Sequence, residues 1–487
     1  MHLPETVVET ILKNLDSNTD RNSVSLVNKL WYTVDRYSRK IVHVSNCNEI
    51  SPQRVIQRFP NLRSLTLKAK HGVLCDVGVW VDVLSKNCGL LESLRLKRFV
   101  VLDRELVKVS TCFPKLKGFG LKSCSGFSID GLKAIASNCE NLEQFEVEKC
   151  DVTDNSSHWL RSFPETLTSL TSLNISCIRG AIDATDLERL VTRCPNLTTL
   201  SLNKTVSANI ISQILIKTPQ IVHLGIGSTI QNLEIEILSY YQLSRSLLKC
   251  ESIESLAFFY QIPIRLIHAF YIICPKLVSV NLRFASYLPD VEVVNFLKKC
   301  RKLRRLSIRS CMGDEGLEAV SKSCKNLEEL RVFRGAGSIG VTEKGLIAIS
   351  TRCQKLKSLT YFCTQMTNAA LVTFSKNCPN ITCFKLIIST PNQPDHLTLQ
   401  SFDHGYGAIV ESCKNLKKLT ISGQLTDDVF LYIGMYAERL EVLSVLNAGE
   451  SDMGIAYVKN GCKNLRKVEI SNRSRINEAL FLANIFA

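Results

Sequence analysis

A cysteine followed three or four residues later by leucine or isoleucine recurs along most of the chain. Twelve of the 20 cysteines occupy this position, two of them with small slips. They are Cys88, Cys112, Cys139, Cys194, Cys250, Cys274, Cys300, Cys324, Cys353, Cys378, Cys413 and Cys462. Many of the intervals are about 24 to 29 residues, a period that predicts stacked repeats. Such repeats bury their apolar faces on one another, which removes the size limit that one compact core would impose on 487 residues.

The leucine that ends each phrase also begins an L-x-x-L-x-L pattern, as in residues 197–202 and 303–308. Small residues follow several of these patterns at a second fixed position, namely Cys124, Cys150 and Cys311. Both features are typical of leucine-rich repeats, with one strand and one helix in each. We therefore predict an α/β leucine-rich-repeat solenoid over residues 48–487, with about sixteen repeats. In the expected horseshoe, parallel strands line the concave face and helices the convex face.

Residues 1–47 follow a different pattern and are predicted to form a small all-α domain. Val8, Ile11 and Leu12 share one face of a helix, and Leu30, Trp31 and Val34 share one face of a second, which also carries Val27. Two short helices bury little by themselves. Their apolar residues therefore serve either as a cap for the solenoid or as a surface for another protein.

The chain carries 60 basic and 45 acidic residues, a formal net charge of +15. Basic residues lie in or beside many predicted strands, so they are expected to converge on the concave face. A cluster of this kind repels itself unless an anion binds to it, and a compact polyphosphate fits this requirement. A solvated basic surface is the alternative. Nucleic acid is disfavoured because aromatic residues make up only 7% of the chain.

The sequence gives few signs of catalysis or metal binding. It has no CxxC pair, no P-loop and no G-x-S-x-G phrase, and its eight histidines are scattered. His71 stands out only because it follows a predicted strand beside basic residues. The start lacks a secretory signal and no apolar run reaches roughly 18 residues, so we expect an intracellular protein with reduced, buried thiols.

Two repeats are stretched between strand and helix, at residues 331–345 and 387–401. Insertions of this kind in solenoids often line a binding site. After the last strand pattern, residues 465–470, no polar closing segment follows. We therefore expect the C-terminal cap of the solenoid to be missing.

Several specific phrases resemble one plant family. Residues 3–8 and 20–32 are similar to the F-box of the auxin receptors, the transport-inhibitor-response and auxin-signalling F-box proteins. The resemblance continues through residues 58–65, 94–98, 173–177, 190–197, 361–371 and 405–411, and so covers nearly the whole chain. The jasmonate receptors share this architecture, but these phrases fit the auxin group better.

The resemblance implies a non-catalytic adaptor of an SCF-type ubiquitin ligase. Its F-box would dock on a Skp-type protein, and its repeats would recruit Aux/IAA-type repressors for ubiquitination in auxin signalling, in the nucleus. No nucleic acid or membrane partner is expected. The docking surface would include Pro4, Ile11, Leu12, Val27 and Trp31.

Two ligand sites follow from the same resemblance. An inositol hexakisphosphate site would use Lys68, Lys97, Arg98, Arg331, Lys385, Lys418, Arg466 and Lys467. An auxin pocket above it would use His71, Phe362, Lys385, Leu386, Thr420 and Ser444.

The chain departs from the family at several of these positions. Lys385 stands where the family has arginine, Cys383 replaces a second arginine, and Thr420 replaces a serine. A lysine keeps the charge but loses the bidentate geometry of a guanidinium. The loop after His71 is shorter and lacks the family's aromatic residues. Two hypotheses stay open: a receptor with altered ligand preference, or a paralogue that docks the ligase adaptor without perceiving auxin.

Overall fold

The computed structural model describes residues 3–15, 18–70, 73–153, 156–227, 233–258, 263–285, 288–309, 312–335, 340–446 and 453–471. The chain divides into two compact units, Met1–Val206 and Ser207–Ala487. Among the described residues, no helix has both the length and the apolar character needed to cross a membrane.

The first unit opens with three helices, α1 (Glu5–Lys13), α2 (Asn18–Val24) and α3 (Lys29–Ser38). Glu5 lies in the first turn of α1 and Lys13 in the last, which suits the helix dipole. Asn28 caps α3 by accepting a hydrogen bond from the Trp31 N–H at 3.1 Å. The second predicted helix therefore begins later than expected, and Val27 lies in the turn that precedes it rather than on its face.

A buried carboxylate holds these helices to the first repeat. Asp35 of α3 is fully buried and pairs with Arg21, Arg39 and Arg58 at 2.8, 2.9 and 2.8 Å. Arg58 is the last residue of α4 (Pro52–Arg58), the first helix after the initial strand. The small helical domain is thus tied to the solenoid by charge-assisted hydrogen bonds.

The sheet of the first unit is parallel throughout. Its strands are β1 (Ile41–Val44), β2 (Ser64–Lys68), β3 (Ser93–Lys97), β4 (Gly118–Lys122), β5 (Gln144–Glu148), β7 (Ser172–Asn174) and β9 (Thr199–Ser201). The short strands β6 (Val152–Thr153) and β8 (Ile178–Arg179) pair separately. The remaining helices are α5 (Gly78–Asn87), α6 (Asp103–Cys112), α7 (Ile129–Asn138) and α8 (Ala184–Thr192), with a 3-10 turn at Trp159–Ser162. Because β1 pairs with β2, the sheet begins before the domain boundary placed at residue 47.

The second unit continues the same alternation. Its strands are β10 (His223–Ile226), β11 (Ser255–Phe258), β12 (Ser279–Asn281), β13 (Arg305–Arg309), β14 (Glu329–Phe333), β15 (Ser358–Cys363), β16 (Cys383–Ile388), β17 (Lys418–Ile421), β18 (Val442–Leu446) and β19 (Lys467–Ser471). Its helices are α9 (Ala208–Lys217), α10 (Leu233–Lys249), α11 (Ile264–Ala269), α12 (Asp290–Lys299), α13 (Gly313–Ser323), α14 (Glu343–Arg352), α15 (Asn368–Asn377), α16 (Asp403–Ser412), α17 (Asp427–Tyr436) and α18 (Met453–Gly461), with a 3-10 segment at Phe270–Lys276. The expected missing cap concerns residues after 471, which lie outside the described part of the chain.

Side chains alternate between the two faces of the sheet along each strand, and those on one face form the core. In the second unit, Leu330, Leu359 and Phe384 are register partners on neighbouring strands, and each is fully buried. Each such side chain contributes about 1.5–3 kcal/mol relative to an exposed one. One face of the sheet therefore packs against the helices, and the other face stays open to carry polar side chains.

The repeated cysteines pack at the ends of the helices, as predicted. Cys324, Cys353, Cys378 and Cys413 follow successive helices, and each is buried and unoxidised. The Cys353 thiol donates to the Cys324 carbonyl at 3.4 Å, and Cys413 donates to Cys378 at 3.6 Å. These contacts join one repeat to the next. Ala437 fills the same position after α17.

Aspartates at the start of the helices make a second link between repeats. Asp314 accepts hydrogen bonds from the backbone N–H of Thr342 at 2.8 Å and from its hydroxyl at 2.6 Å. Thr342 is in turn the N-cap of α14. Asp403 binds Thr426, the N-cap of α17, in the same way. Each of these aspartates therefore accepts hydrogen bonds from groups at the start of the next repeat's helix, where backbone N–H groups have no partner within the helix.

Candidate functional site

A pocket of about 510 Å³ opens on the polar face of the second unit's sheet. Four neighbouring strands and the turns before them supply its lining. The lining residues are Glu329, Arg331, Phe333, Ser358, Thr360, Thr382, Cys383, Lys385, Lys417 and Lys418. Three of them, Arg331, Lys385 and Lys418, are among the predicted anion-binding residues.

Strand register explains why residues far apart in sequence meet here. Arg331 is the partner of Thr360, which is the partner of Lys385. Lys385 then pairs with Thr420, and Thr420 with Ser444. The structure thus places four of the predicted residues in one row across five strands.

A second row lies two residues earlier on the same strands. It runs from Glu329 through Ser358 and Cys383 to Lys418. Val442 and Lys467 continue it on the next two strands. Cys383 therefore sits directly between a serine and a lysine of the pocket wall and contributes no positive charge there.

Burial and neighbouring charge both act on Lys385. Burial lowers the pKa of its ammonium group below the usual value, and the positive charges of Lys418 and Arg331 act in the same direction. Cys383 and Glu469 oppose this effect. An anion bound in the pocket would favour the charged form of Lys385, so the electrostatics of the site match an acidic ligand.

Two glutamates on the open face partly neutralise the basic residues. Arg331 Nε lies 2.5 Å from Glu329 Oε1. Lys467 forms an ion pair with Glu469, which also accepts a hydrogen bond from the Ser444 hydroxyl at 3.3 Å. The sequence reasoning missed both glutamates and Thr360. Their positions in the strand alternation place them on the open face, so the signal was available.

The side chains predicted to line an auxin pocket differ in exposure and in the face of the sheet on which they lie. Phe362 lies on the open face but is only 3% exposed, and the Arg334 guanidinium carbon stands 5.7 Å from its ring centroid. Thr420 and Ser444 are also nearly buried. Leu386 points the other way: its side chain is fully buried in the helix-facing core, so the prediction that it lines the pocket is wrong. His71 lies outside the described residues.

The first unit carries its own basic row. Lys68 pairs in register with Lys97, Lys97 with Lys122, and Lys122 with Glu148. Burial lowers the pKa of Lys97, and the charges of Lys122 and nearby Arg95 add to the effect. Lys122 is paired with Glu148 at 2.7 Å.

The predicted arginines at the ends of strands sit outside these rows. Arg98 follows β3 in a left-handed backbone conformation, with φ of 65°. Arg466 immediately precedes β19 and is exposed. Both flank a strand rather than lie within its alternation.

The stretched repeat after β16 forms an ordered loop. The Gly423 N–H donates to the Pro391 carbonyl and the Gln424 N–H to the Gln393 carbonyl, both at 2.9 Å, so the loop is held to the segment after β17. Asp395, only 1% exposed, anchors it further by accepting a hydrogen bond from the backbone of Asn368 at 2.6 Å. Part of the other stretched repeat, residues 336–339, lies outside the described chain.

Among the residues that the structure describes, one group of potential metal ligands is present, in the first unit. Ligand atoms of His158, Asp183 and Asp186 lie within 4.8 Å of one another. Asp186 already binds Arg161 at 2.8 Å and His158 at 2.9 Å, and Asp183 caps α8. The two carboxylates are therefore engaged in holding the repeat together.

The small helical domain presents apolar side chains to solvent. Val7 and Ile11 lie one turn apart on α1 and are 40% and 37% exposed, and Leu3, just before the helix, is 41% exposed. Leu26 and Val27, in the turn before α3, are 80% and 66% exposed. Leu3, Val7 and Leu26 were missed by the sequence reasoning.

The other predicted docking residues differ in their exposure to solvent. Pro4 is exposed and Trp31 half-buried. Leu12 is fully buried, as is Val8, on a face of α1 that is turned away from Val7 and Ile11 by about 100°. The assignment of Leu12 to a docking surface is therefore wrong: it belongs to the domain's core.

Comparison with known proteins identifies the chain's relatives. A family model described as F-box matches residues 1–41. A transport inhibitor response 1-like protein of Oryza sativa subsp. japonica is 44% identical over 490 residues, covering 99% of this chain and 86% of that protein. GRR1-like protein 1 of Arabidopsis thaliana is 41% identical over 486 residues, with coverage of 96% and 82%.

Similarity to the jasmonate-receptor group is lower. Coronatine-insensitive protein homolog 1a of Oryza sativa subsp. indica is 28% identical over 502 residues, covering 99% of this chain and 82% of that protein. The sequence phrases predicted this order. The chain belongs to the transport-inhibitor-response-1-like family of F-box leucine-rich-repeat proteins.

Proposed function

We propose that this chain is the substrate-recognition subunit of an SCF-type ubiquitin ligase and has no catalytic role of its own. The observation that carries the proposal is the pairing of two surfaces in an F-box family member. An exposed apolar surface on the first helices suits a Skp-type adaptor, and a basic pocket on the repeats suits an acidic ligand. A cullin-based ligase would supply the chemistry.

The pocket is proposed to bind two anions of different kinds. Inositol hexakisphosphate would engage the basic residues through charge-assisted hydrogen bonds, with Lys418, Arg331 and Lys385 at the centre. The carboxylate of auxin would meet Lys385, beside the hydroxyl groups of Thr420 and Ser444. Auxin would complete a surface for an Aux/IAA-type degron, in the nucleus, without covalent chemistry.

The lining itself offers a test of polyphosphate binding. Cys383 lines the pocket, whereas Cys112 lies at the end of α6, and both residues are partly exposed. Inositol hexakisphosphate should slow alkylation of Cys383 and leave Cys112 unchanged, as read by mass spectrometry. Equal labelling of Cys383 with and without the polyphosphate would refute this site.

Hormone perception needs a separate experiment. Auxin is titrated into the full chain, co-purified with a Skp-type adaptor, in the presence of a labelled Aux/IAA degron peptide. We expect auxin-dependent binding of the peptide. If the adaptor co-purifies but auxin has no effect on the peptide, the chain is a paralogue that docks the ligase without perceiving the hormone.

That second candidate has a specific basis in the site. The pocket has Lys385 and Cys383 where the family has two arginines, so its capacity for bidentate contacts is reduced. Glu329 also forms an ion pair with Arg331 in this structure. Both features weaken the grip on a single carboxylate more than the attraction of a polyphosphate.

A further inference from the structure

A groove lies between two neighbouring helices of the second unit, on the side remote from the basic pocket's strands. Helices α9 and α10 border this groove, which has a volume of about 610 Å³. Its buried lining is formed by Ser212 of α9 and Ser246 of α10, whose hydroxyl oxygens are 2.6 Å apart. Two small side chains at the point of contact leave a depression that larger residues would fill.

Large apolar side chains stand exposed beside this groove. Ile216 and Leu248, from opposite helices, line it and are 51% and 57% exposed. Leu238 and Tyr241 lie on the solvent face of the same helix α10 and are 65% and 70% exposed. Single exposed apolar residues are ordinary, but Ile216 and Leu248 lie together on the lining of one groove, as apolar residues do at protein interaction sites.

The charged residues that line the groove are both basic. They are Arg245 and Lys249 of α10, and no aspartate or glutamate is among the lining residues; the two glutamates of α10, Glu234 and Glu236, stand at the other end of the helix. Arg245 and Lys249 line the groove itself and are exposed. The groove therefore combines exposed apolar side chains with two basic ones.

We propose that the α9–α10 groove binds an acidic amphipathic helix of a partner protein. The apolar residues of such a helix, spaced at i, i+3 or i+4 and i+7, would meet Ile216 and Leu248. Its glutamates or aspartates would face Arg245 and Lys249, which sets orientation and association rate. This surface uses none of the residues of the basic pocket or of the F-box, so it would provide a third docking site.

The test uses a synthetic probe. A fluorescein-labelled helical peptide of 18 residues carries leucines at that spacing and glutamates on the flanking positions, and a scrambled peptide of the same composition serves as its control. Fluorescence anisotropy with the full chain should show binding of the first peptide only. The R245E/K249E variant should bind it about tenfold more weakly.

Matched variants separate groove binding from general charge effects. Lys298, exposed on α12, provides the control K298E, and Val291, 68% exposed on the same helix, provides V291S as the control for L248S. We expect L248S to weaken binding and both controls to leave it unchanged. A peptide with lysines in place of the glutamates should bind R245E/K249E better than the native chain. All the substituted side chains are exposed, so thermal unfolding should be unaffected.

Three outcomes would overturn the proposal. The first is equal binding of the scrambled peptide, and the second is an effect of K298E as large as that of R245E/K249E. The third is self-association of the native chain in analytical ultracentrifugation that L248S abolishes, since a second copy would then be the occupant of the groove.

Discussion

Lys385 is the residue on which the chemistry of the pocket depends most. It stands in the register row between Thr360 and Thr420, it is half-buried, and its neighbours Lys418 and Arg331 carry the same charge. A lysine there attracts an anion as a point charge. It cannot hold a carboxylate by two parallel hydrogen bonds, as arginine can.

Substitution of Lys385 should therefore change affinity in two directions. K385R should strengthen binding of inositol hexakisphosphate several-fold, because a bidentate guanidinium replaces a point charge. K385M should weaken it by about tenfold or more, since a charged contact worth roughly 1.5–3 kcal/mol is lost. Isothermal titration calorimetry measures both. K376M, at an exposed lysine on α15, is the control, and an equal loss in that variant would mean that the effect is only one of net charge.

At the scale of elements, the cysteines act as packing residues rather than as nucleophiles. Burial raises the pKa of the Cys353 thiol to about 11 and that of Cys324 to about 12. A thiol with a raised pKa carries little thiolate at neutral pH, and the thiolate is the reactive species. The regular spacing of these residues thus reflects the stacking of repeats.

This account predicts an order of alkylation in the native chain. At pH 8, iodoacetamide should modify Cys112 and Cys383, which are partly exposed, well before Cys324, Cys353 and Cys378. Time-resolved peptide mass spectrometry gives the order. Rapid modification of Cys353 in the folded chain would show that the repeats open readily and would contradict a closed stack.

The loop after β16 depends on one carboxylate. Asp395 is nearly fully buried and accepts backbone hydrogen bonds from Asn368, Leu397 and Thr398 at 2.6, 2.9 and 3.0 Å. Burial by itself would raise the pKa of Asp395, but these donors outweigh it and hold the pKa below the usual value. A depressed carboxyl pKa stabilises the folded loop above the unfolded pKa of about 3.9 and loses that effect as pH falls through the folded value.

The variant D395N should accordingly loosen the loop at pH 7, and its difference from the native chain should shrink as the pH is lowered through the depressed pKa of the folded Asp395. Amide hydrogen exchange of residues 389–402, corrected for intrinsic rates, should show protection reduced by about 1–3 kcal/mol at pH 7. D130N, at an exposed position of α7, is the control. A loss of protection that does not shrink as the pH is lowered would argue against an ionised Asp395.

At the scale of the whole molecule, the F-box and the repeats are expected to work as separate binding surfaces in one chain. The exposed residues Leu26 and Val27 are free to meet an adaptor, whereas Leu12 and Val8 hold the small domain together. Asp35, with its three arginine partners, joins this domain to the first repeat. Docking and folding should therefore be separable by mutation.

L26D should abolish co-purification with a Skp-type adaptor and leave the melting temperature unchanged, because Leu26 is 80% exposed. L12D should unfold the small domain instead, since an unpaired charge would enter an apolar core. Pull-down and differential scanning fluorimetry distinguish the two. If L26D retained full adaptor binding, the docking surface would have to lie elsewhere on the domain.

The sequence by itself determined the repeat, the buried cysteines, the F-box and the family, because periodic apolar residues and fixed phrases are local signals that packing only reinforces. It also placed Lys385 and Arg331 on strands. Only the tertiary structure decided which residues of different strands share a row and that Leu12 is a core residue. Register and the rotation of a short helix arise from contacts between residues distant in sequence, and alternation within one strand does not encode them.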